Sequence, residues 1–126
     1  MKKKRILVDM SATLIHHGHI RLLKKAKKFG EVIVALTKDS HIKKYKGFKP
    51  ELKFKHRKEI IESIKFVKKV IPSNFYLTNK FLKKNKIDFL VHGNDNKNHI
   101  EASKLRIFKR TKGISSSILR QKFINK

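Results

Sequence analysis

His16-His17-Gly18-His19 is the group of residues in this chain best suited to chemistry by type and spacing. It follows a short apolar run, Ile6-Leu7-Val8, and opens a segment with helical periodicity. A strand that turns into a helix leaves the helix's first backbone N–H groups unpaired, with the positive end of its dipole facing the turn. Such turns bind anions, phosphate above all. Two imidazoles three residues apart add donors on the same side, and Gly18 lets backbone approach closely. A nucleoside triphosphate is the ligand this arrangement suits. A second group, Arg110-Thr111-Lys112-Gly113-Ile114-Ser115-Ser116-Ser117, again follows an apolar run and precedes a helical pattern. Its guanidinium and hydroxyls suit phosphate oxygens, although serines at a helix start also act as plain caps. The three histidines have no neighbouring carboxylate or cysteine to complete a ligand set, so no protein-held metal site is expected. His92 and His99 read as ordinary loop histidines.

The elements that must position these groups alternate along the chain. Candidate strands are residues 5–9, 32–37, 67–71, 89–92 and 105–108. Between them lie helical patterns. In the first, Ile20, Leu22, Leu23, Ala26 and Phe29 face inward and Gly30 supplies the stop. In the second, residues 56–66, Ile60, Ile61 and Ile64 carry the stripe. Phe81-Leu82 marks a third helix, and Ile118, Leu119 and Phe123 a last one. Residues 43–55 are polar, contain Gly47 and Pro50, and read as an irregular loop of the kind that carries function. Alternating strands and helices predict a Rossmann-like three-layer α/β/α fold with a mainly parallel five-stranded sheet, whose ligand sits beyond the carboxyl ends of the strands. Residues 1–126 read as a single domain.

Composition narrows the class. There is no cysteine among the 126 residues, which excludes disulfides, thiolate metal sites and a cysteine nucleophile. The first apolar run is too short for a signal peptide, and no stretch approaches the roughly 20 apolar residues that span a bilayer. A cytoplasmic protein with no membrane partner is expected. The net charge of +25 suits a nucleic-acid surface, but it is carried by 28 lysines scattered over nearly every element. Aromatic residues interleaved with arginine, as single-strand binders use, are not evident. Nucleic acid is therefore expected to bind non-specifically if at all, while the field concentrates polyanionic substrates.

The spaced pair of motifs resembles those of the small cytidylyltransferases in the nucleotidyltransferase superfamily marked by an HxGH motif, of which the glycerol-3-phosphate enzymes are examples. His16-His17-Gly18-His19 matches HxGH, and Arg110-Thr111-Lys112-Gly113-Ile114-Ser115-Ser116 resembles the RTxGIS[ST] signature. Lys46, His56-Arg57-Lys58, Val70-Ile71-Pro72 and His92-Gly93-Asn94-Asp95 fall in the family's order. The run Asp9-Met10-Ser11-Ala12-Thr13-Leu14-Ile15-His16-His17-Gly18-His19 is similar to the nucleotidyltransferase domains fused to phosphoenolpyruvate mutases. The chain departs from both groups at Thr13, where they carry an acidic residue, and it has Phe48, Tyr76 and Asn94 at other family positions.

The resemblance implies transfer of CMP from CTP to a phosphate or phosphonate monoester, with Mg²⁺ accompanying CTP and a homodimer as the assembly. His16, His19, Lys46 and Arg110 would be catalytic. Ser11, Ala12, His17, Gly18, Gly93, Asp95, Thr111, Lys112, Gly113, Ile114 and Ser115 to Ser117 would join the two histidines and Arg110 in holding the nucleotide. Thr13, Lys46, Arg57 and Tyr76 would contact the acceptor. A neutral Thr13 would leave that pocket less negative by one charge and favour doubly anionic acceptors. Lys46 reads equally as a solvated charge, and Arg57 as a partner of Glu59, Glu62 or a helix end elsewhere. An adenylyltransferase using ATP, or a degenerate nucleotide- or nucleic-acid-binding protein, are the other readings of the same residues.

Overall fold

The computed structural model of the protein describes residues 3–93, 97–109 and 111–124. Asp95 and Arg110 lie outside the described residues. Five strands, β1 (Arg5–Met10), β2 (Glu31–Thr37), β3 (Val67–Ser73), β4 (Phe89–Gly93) and β5 (Leu105–Phe108), form one sheet in the order β3-β2-β1-β4-β5. Every pairing is parallel. The chain steps outward from β1 to β2 and β3, then returns to the other side of β1 for β4 and β5. The order therefore reverses between β1 and β4, where a crevice opens beyond the strand ends.

Five helices connect or follow the strands: α1 (His17–Lys27), α2 (Asp39–Lys46), α3 (Phe54–Glu62), α4 (Asn79–Lys84) and α5 (Ser116–Ile124). On one face of the sheet Ile6, Val8, Val34 and Leu36 pack with Leu23 and Ala26 of α1 and Ile61 of α3. On the other, Leu7, Ile33, Ala35 and Leu90 pack with Leu77, Leu82 and Ile87 around α4. This is the expected three-layer arrangement, with β1 buried on both faces, as a central parallel strand must be.

Three expectations need correction. The stretch 43–55 is not all loop, because α2 runs to Lys46 and α3 begins at Phe54. Gly47, at φ 80°, ends α2 in the left-handed conformation and donates its N–H to Lys43 O, so only residues 47–53 are irregular. The inward stripe of α3 is carried by Phe54, Arg57, Ile61 and, just past its end, Ile64; Ile60 is 40% exposed. A buried arginine occupies the place where periodicity puts an apolar residue. Phe29 is also largely exposed, since α1 ends two residues before it, and its ring meets Phe108 at 5.7 Å. Gly30 is required by a close approach: a Cβ there would stand 2.2 Å from Lys4 O.

Candidate active site

The crevice at the switch point is a cleft of about 510 Å³, walled by the turn after β1, the ends of β2 and β4, the segment after β3, and the start of α5. His16 and His19 sit in its wall. His16 is the N-cap of α1: its Nδ1 accepts the Gly18 N–H at 3.1 Å, while His19 Nδ1 accepts the His16 N–H at 3.1 Å. This is a capping box built from two imidazoles. The rings lie 3.9 Å apart between centroids. Because each Nδ1 accepts from a backbone donor, the neutral tautomer that fits carries its proton on Nε2. The expected source of the phosphate donors is thus revised. The Gly18 amide is paired with a ring, and each neutral ring then carries its N–H at Nε2. Gly18 must be glycine for a related reason: a Cβ would fall 2.8 Å from His16 Cε1.

The turn that delivers His16 is held from two sides. Ala12 takes φ 47°, a left-handed conformation costly for a residue with a Cβ, and is only 3% exposed. Behind it, Arg57 is fully buried; it donates from Nη1 to Ser11 O at 2.6 Å and from Nε to Leu52 O at 3.0 Å, and pairs through Nη2 with Asp39 Oδ1. Asp39 Oδ2 accepts the Phe54 N–H that opens α3. Burial lowers the Arg57 pKa, opposed by the Asp39 contact, yet a guanidinium stays charged at any working pH. Arg57 does not line the cleft. In place of the expected contact with the acceptor, each of its three nitrogens donates to the chain itself, to Leu52 O, Ser11 O and Asp39 Oδ1. On the other side, Ser116 Oγ donates to Leu14 O at 2.8 Å and accepts the Leu14 N–H at 3.2 Å. One hydroxyl therefore staples the second motif to the first across 102 residues.

Thr13 is also displaced from its expected place. It is 1% exposed and does not line the cleft. Its Oγ1 accepts from Arg120 Nη2 at 2.9 Å, and Arg120 makes a two-pronged pair with Glu51 at 2.6 Å over the Phe48 ring. The carboxylate beside Arg120 thus comes from Glu51 of the 47–53 loop. The acceptor preference expected from a neutral Thr13 therefore loses its physical basis. The Arg120 hydrogen bond, with a smaller coulombic contribution, holds the Glu51 pKa below its ordinary value of 4.5. A depressed carboxylate stabilises the fold above its unfolded pKa and loses that contribution as pH falls through its folded one. Wild type should therefore exceed Glu51→Gln in stability by roughly 1 kcal/mol at neutral pH, since the pair is partly exposed. In urea titrations the gap should close below about pH 4.5; a gap that persists in acid would show that charge is not its origin.

The remaining expected residues divide clearly. Ser11, Ala12, Gly18, Lys46, Tyr76, Gly93, Thr111, Ile114 and Ser115 to Ser117 line the same cleft as the histidines, whereas His17, Lys112 and Gly113 do not. Ser115 Oγ accepts the Ile118 N–H, so it caps α5. The sequence reading missed Arg21, Lys25, Lys97 and Lys109, which add cationic side chains to the wall, and Tyr45 and Phe75, which stack at 5.0 Å beside Tyr76. It also missed Asp9 and His92, which face each other at 3.3 Å; His92 is the last but one residue of β4, not a loop residue. The signal available was period two: Asp9 and His92 stand two residues after the buried Leu7 and Leu90.

Residues 11–122 match the family model described as Cytidylyltransferase-like. Glycerol-3-phosphate cytidylyltransferase of Staphylococcus aureus is 28% identical over 98% of this chain and 97% of its own length. The Bacillus spizizenii enzyme of the same name is 33% identical, covering 94% of this chain and 95% of its own. Ethanolamine-phosphate cytidylyltransferase of Mus musculus is 32% identical over 91% of this chain, which spans only 31% of that protein. Among solved structures, the lipopolysaccharide core biosynthesis protein from Thermoplasma volcanium GSS1 superposes with a TM-score of 0.67 at 24% identity, covering 97% of this chain and 87% of that one. That likeness concerns the fold.

Proposed function

Because this chain belongs to the cytidylyltransferase-like family of nucleotidyltransferases, we propose that it transfers CMP from CTP to a small phosphate- or phosphonate-bearing acceptor and releases pyrophosphate. The observation that carries the reading is the pair of Nδ1-capped imidazoles in a cleft walled by several cationic side chains. The acceptor's anionic oxygen forms the new bond to the α-phosphorus, and the bond from that phosphorus to the bridging oxygen breaks. No side chain needs to become a nucleophile. The protein supplies position and charge stabilisation. Nε2–H of His16 and His19 would donate to phosphate oxygens as charge moves onto the leaving pyrophosphate. Lys46 would draw in the acceptor, while Ser116 and Arg57 keep the turn in place.

Mg²⁺ is the ion the reading implies. Among the described residues no three metal-ligating side chains converge, and the cleft wall that they form holds one carboxylate, Asp9, with an oxygen already facing His92. The donor set therefore fits an ion held by the nucleotide's phosphates and water, not by a protein cage. When bound, that ion would supply neutralisation of phosphate charge. No helix among the described residues is long and apolar enough to cross a membrane.

The test is pyrophosphate release with CTP, ATP, GTP and UTP against sn-glycerol 3-phosphate, ethanolamine phosphate and simple phosphonates. CTP should be preferred, and without acceptor it should stabilise the fold by about 2.7 kcal/mol at a hundred times its Kd. Faster turnover with ATP would make the chain an adenylyltransferase. No turnover with any pair, together with tight DNA binding at physiological salt, would overturn the reading.

A further inference from the structure

The α4 side of the sheet is apolar until its carboxyl edge, where it changes character. Leu7, Ala35 and Leu90 belong to the core on that side, with Ile71 packed against it. Two residues further along these strands stand polar residues in two steps: Asp9 and His92 face each other opposite Ala35, and Thr37, paired with Ser73, lies two residues beyond. Thr37 Oγ1 donates to Met10 O. Asp9 Oδ1 and Ser73 Oγ are buried with no hydrogen-bond partner among the described residues. His92 points one ring nitrogen at each of two acceptors: Nδ1 is 3.1 Å from Gly93 O, and Nε2 is 3.3 Å from Asp9 Oδ2. A carbonyl oxygen only accepts, so a proton on Nδ1 suits the contact with Gly93 O. The ring thus faces one carboxylate oxygen of Asp9, and the other oxygen is left over.

A buried carboxylate oxygen without a donor is costly, and a ligand that brings one relieves the cost. Asp9, Thr37 and His92 all belong to the cleft wall, and Asp9 is its only acidic residue among those described. A phosphate is repelled from that point by charge, and the wall's lysines and imidazoles serve phosphates elsewhere. We propose that the Asp9 carboxylate accepts a hydrogen bond from an uncharged hydroxyl or an ammonium group of a bound substrate, and that His92 is the positioning residue that orients it. The soft, two-fold χ2 torsion of aspartate lets the unpartnered oxygen turn to the ligand. The proposal rests on the CMP-transfer reading, and the donor belongs either to the nucleoside or to the acceptor's non-phosphate end.

The experiment measures the Kd of CTP by calorimetry without acceptor, and acceptor KM at saturating CTP, for wild type, the near-isosteric Asp9→Asn, and Asp9→Ala. If the nucleoside supplies the donor, both variants should weaken CTP by about 10- to 100-fold. The 2′-deoxy or 3′-deoxy analogue that lacks the donor should then bind wild type and Asp9→Asn alike. If the acceptor supplies it, CTP affinity holds and KM rises by a similar factor for sn-glycerol 3-phosphate or ethanolamine phosphate, but not for ethyl phosphate. His92→Leu should reproduce part of the loss and His92→Gln, which keeps a donor toward Asp9, should restore it; equal losses in both would remove the positioning role. Asp9→Asn within two-fold of wild type on both substrates overturns the proposal. So does Mg²⁺ alone binding nucleotide-free wild type and not Asp9→Asn, which would make the carboxylate a metal ligand. A wild-type chain that neither binds CTP nor releases pyrophosphate overturns the CMP-transfer reading itself, and this proposal with it.

Discussion

His16→Ala and His19→Ala should each lower turnover by roughly 10²–10³, the loss typical of removing a transition-state donor. The histidines also hold the helix, so two effects must be separated. His16 Nδ1 and His19 Nδ1 accept the Gly18 and His16 N–H groups, and losing a cap costs about 1 kcal/mol of stability. That is a few degrees of Tm for a domain of this size, far from enough to unfold it. Asparagine separates the roles, because it is a strong N-cap but too short to place a donor where Nε2 stands. His16→Asn should therefore recover most of the lost stability and almost none of the lost rate. If His16→Asn restored turnover as well, the ring would be only a cap and the phosphate-donor role would fall. The loss should appear in kcat and in kcat/KM together, since the donor strengthens as charge develops on the leaving group.

Much of this arrangement is legible along the chain because it is local. Apolar runs mark all five strands, most strongly the central β1, β2 and β4, which must be apolar on both faces, and their alternation with helices fixed the layers. The two strand-to-helix turns announced themselves by residue type. What was illegible is long-range. Nothing near Thr13 says that Arg120 and Glu51 will supply its partner, 107 and 69 residues of separation being involved in the two Arg120 contacts. Ser116 looks like a plain helix cap until its hydroxyl is seen on Leu14. Periodicity placed Ile60 inward because it counts methyl groups; the fold chose Arg57 for that face, since only a guanidinium could satisfy carbonyls from two separate segments. The tautomer of the histidines likewise depends on which backbone N–H meets which ring nitrogen, and that requires coordinates.

Arg57 gives the largest expected effect on stability. Its side chain is fully buried, and it donates to Ser11 O and Leu52 O while pairing with Asp39. Replacing it by Met keeps much of the volume but leaves two carbonyls without their donor and Asp39 without its cation. Asp39 is 43% exposed and water can take the place of its cation, so the cost lies mainly in the two carbonyls left without a donor, about 2–4 kcal/mol together, which corresponds to roughly 7–15 °C in Tm for this chain length. Arg57→Lys should recover only part of the loss, because an ammonium cannot reach three acceptors in the fixed geometry of the guanidinium fork. The consequence extends to the site. Ser11 precedes Ala12, whose left-handed backbone persists only while its surroundings hold it there, and that turn delivers His16. Below the lowered melting temperature the surviving folded protein should therefore also lose turnover, with kcat falling more than acceptor KM rises. A direct contact with the acceptor predicts the opposite pattern: a large rise in acceptor KM with stability unchanged in urea or heat. Observing that pattern in Arg57→Met would return Arg57 to the acceptor pocket and remove it from the framework of the turn.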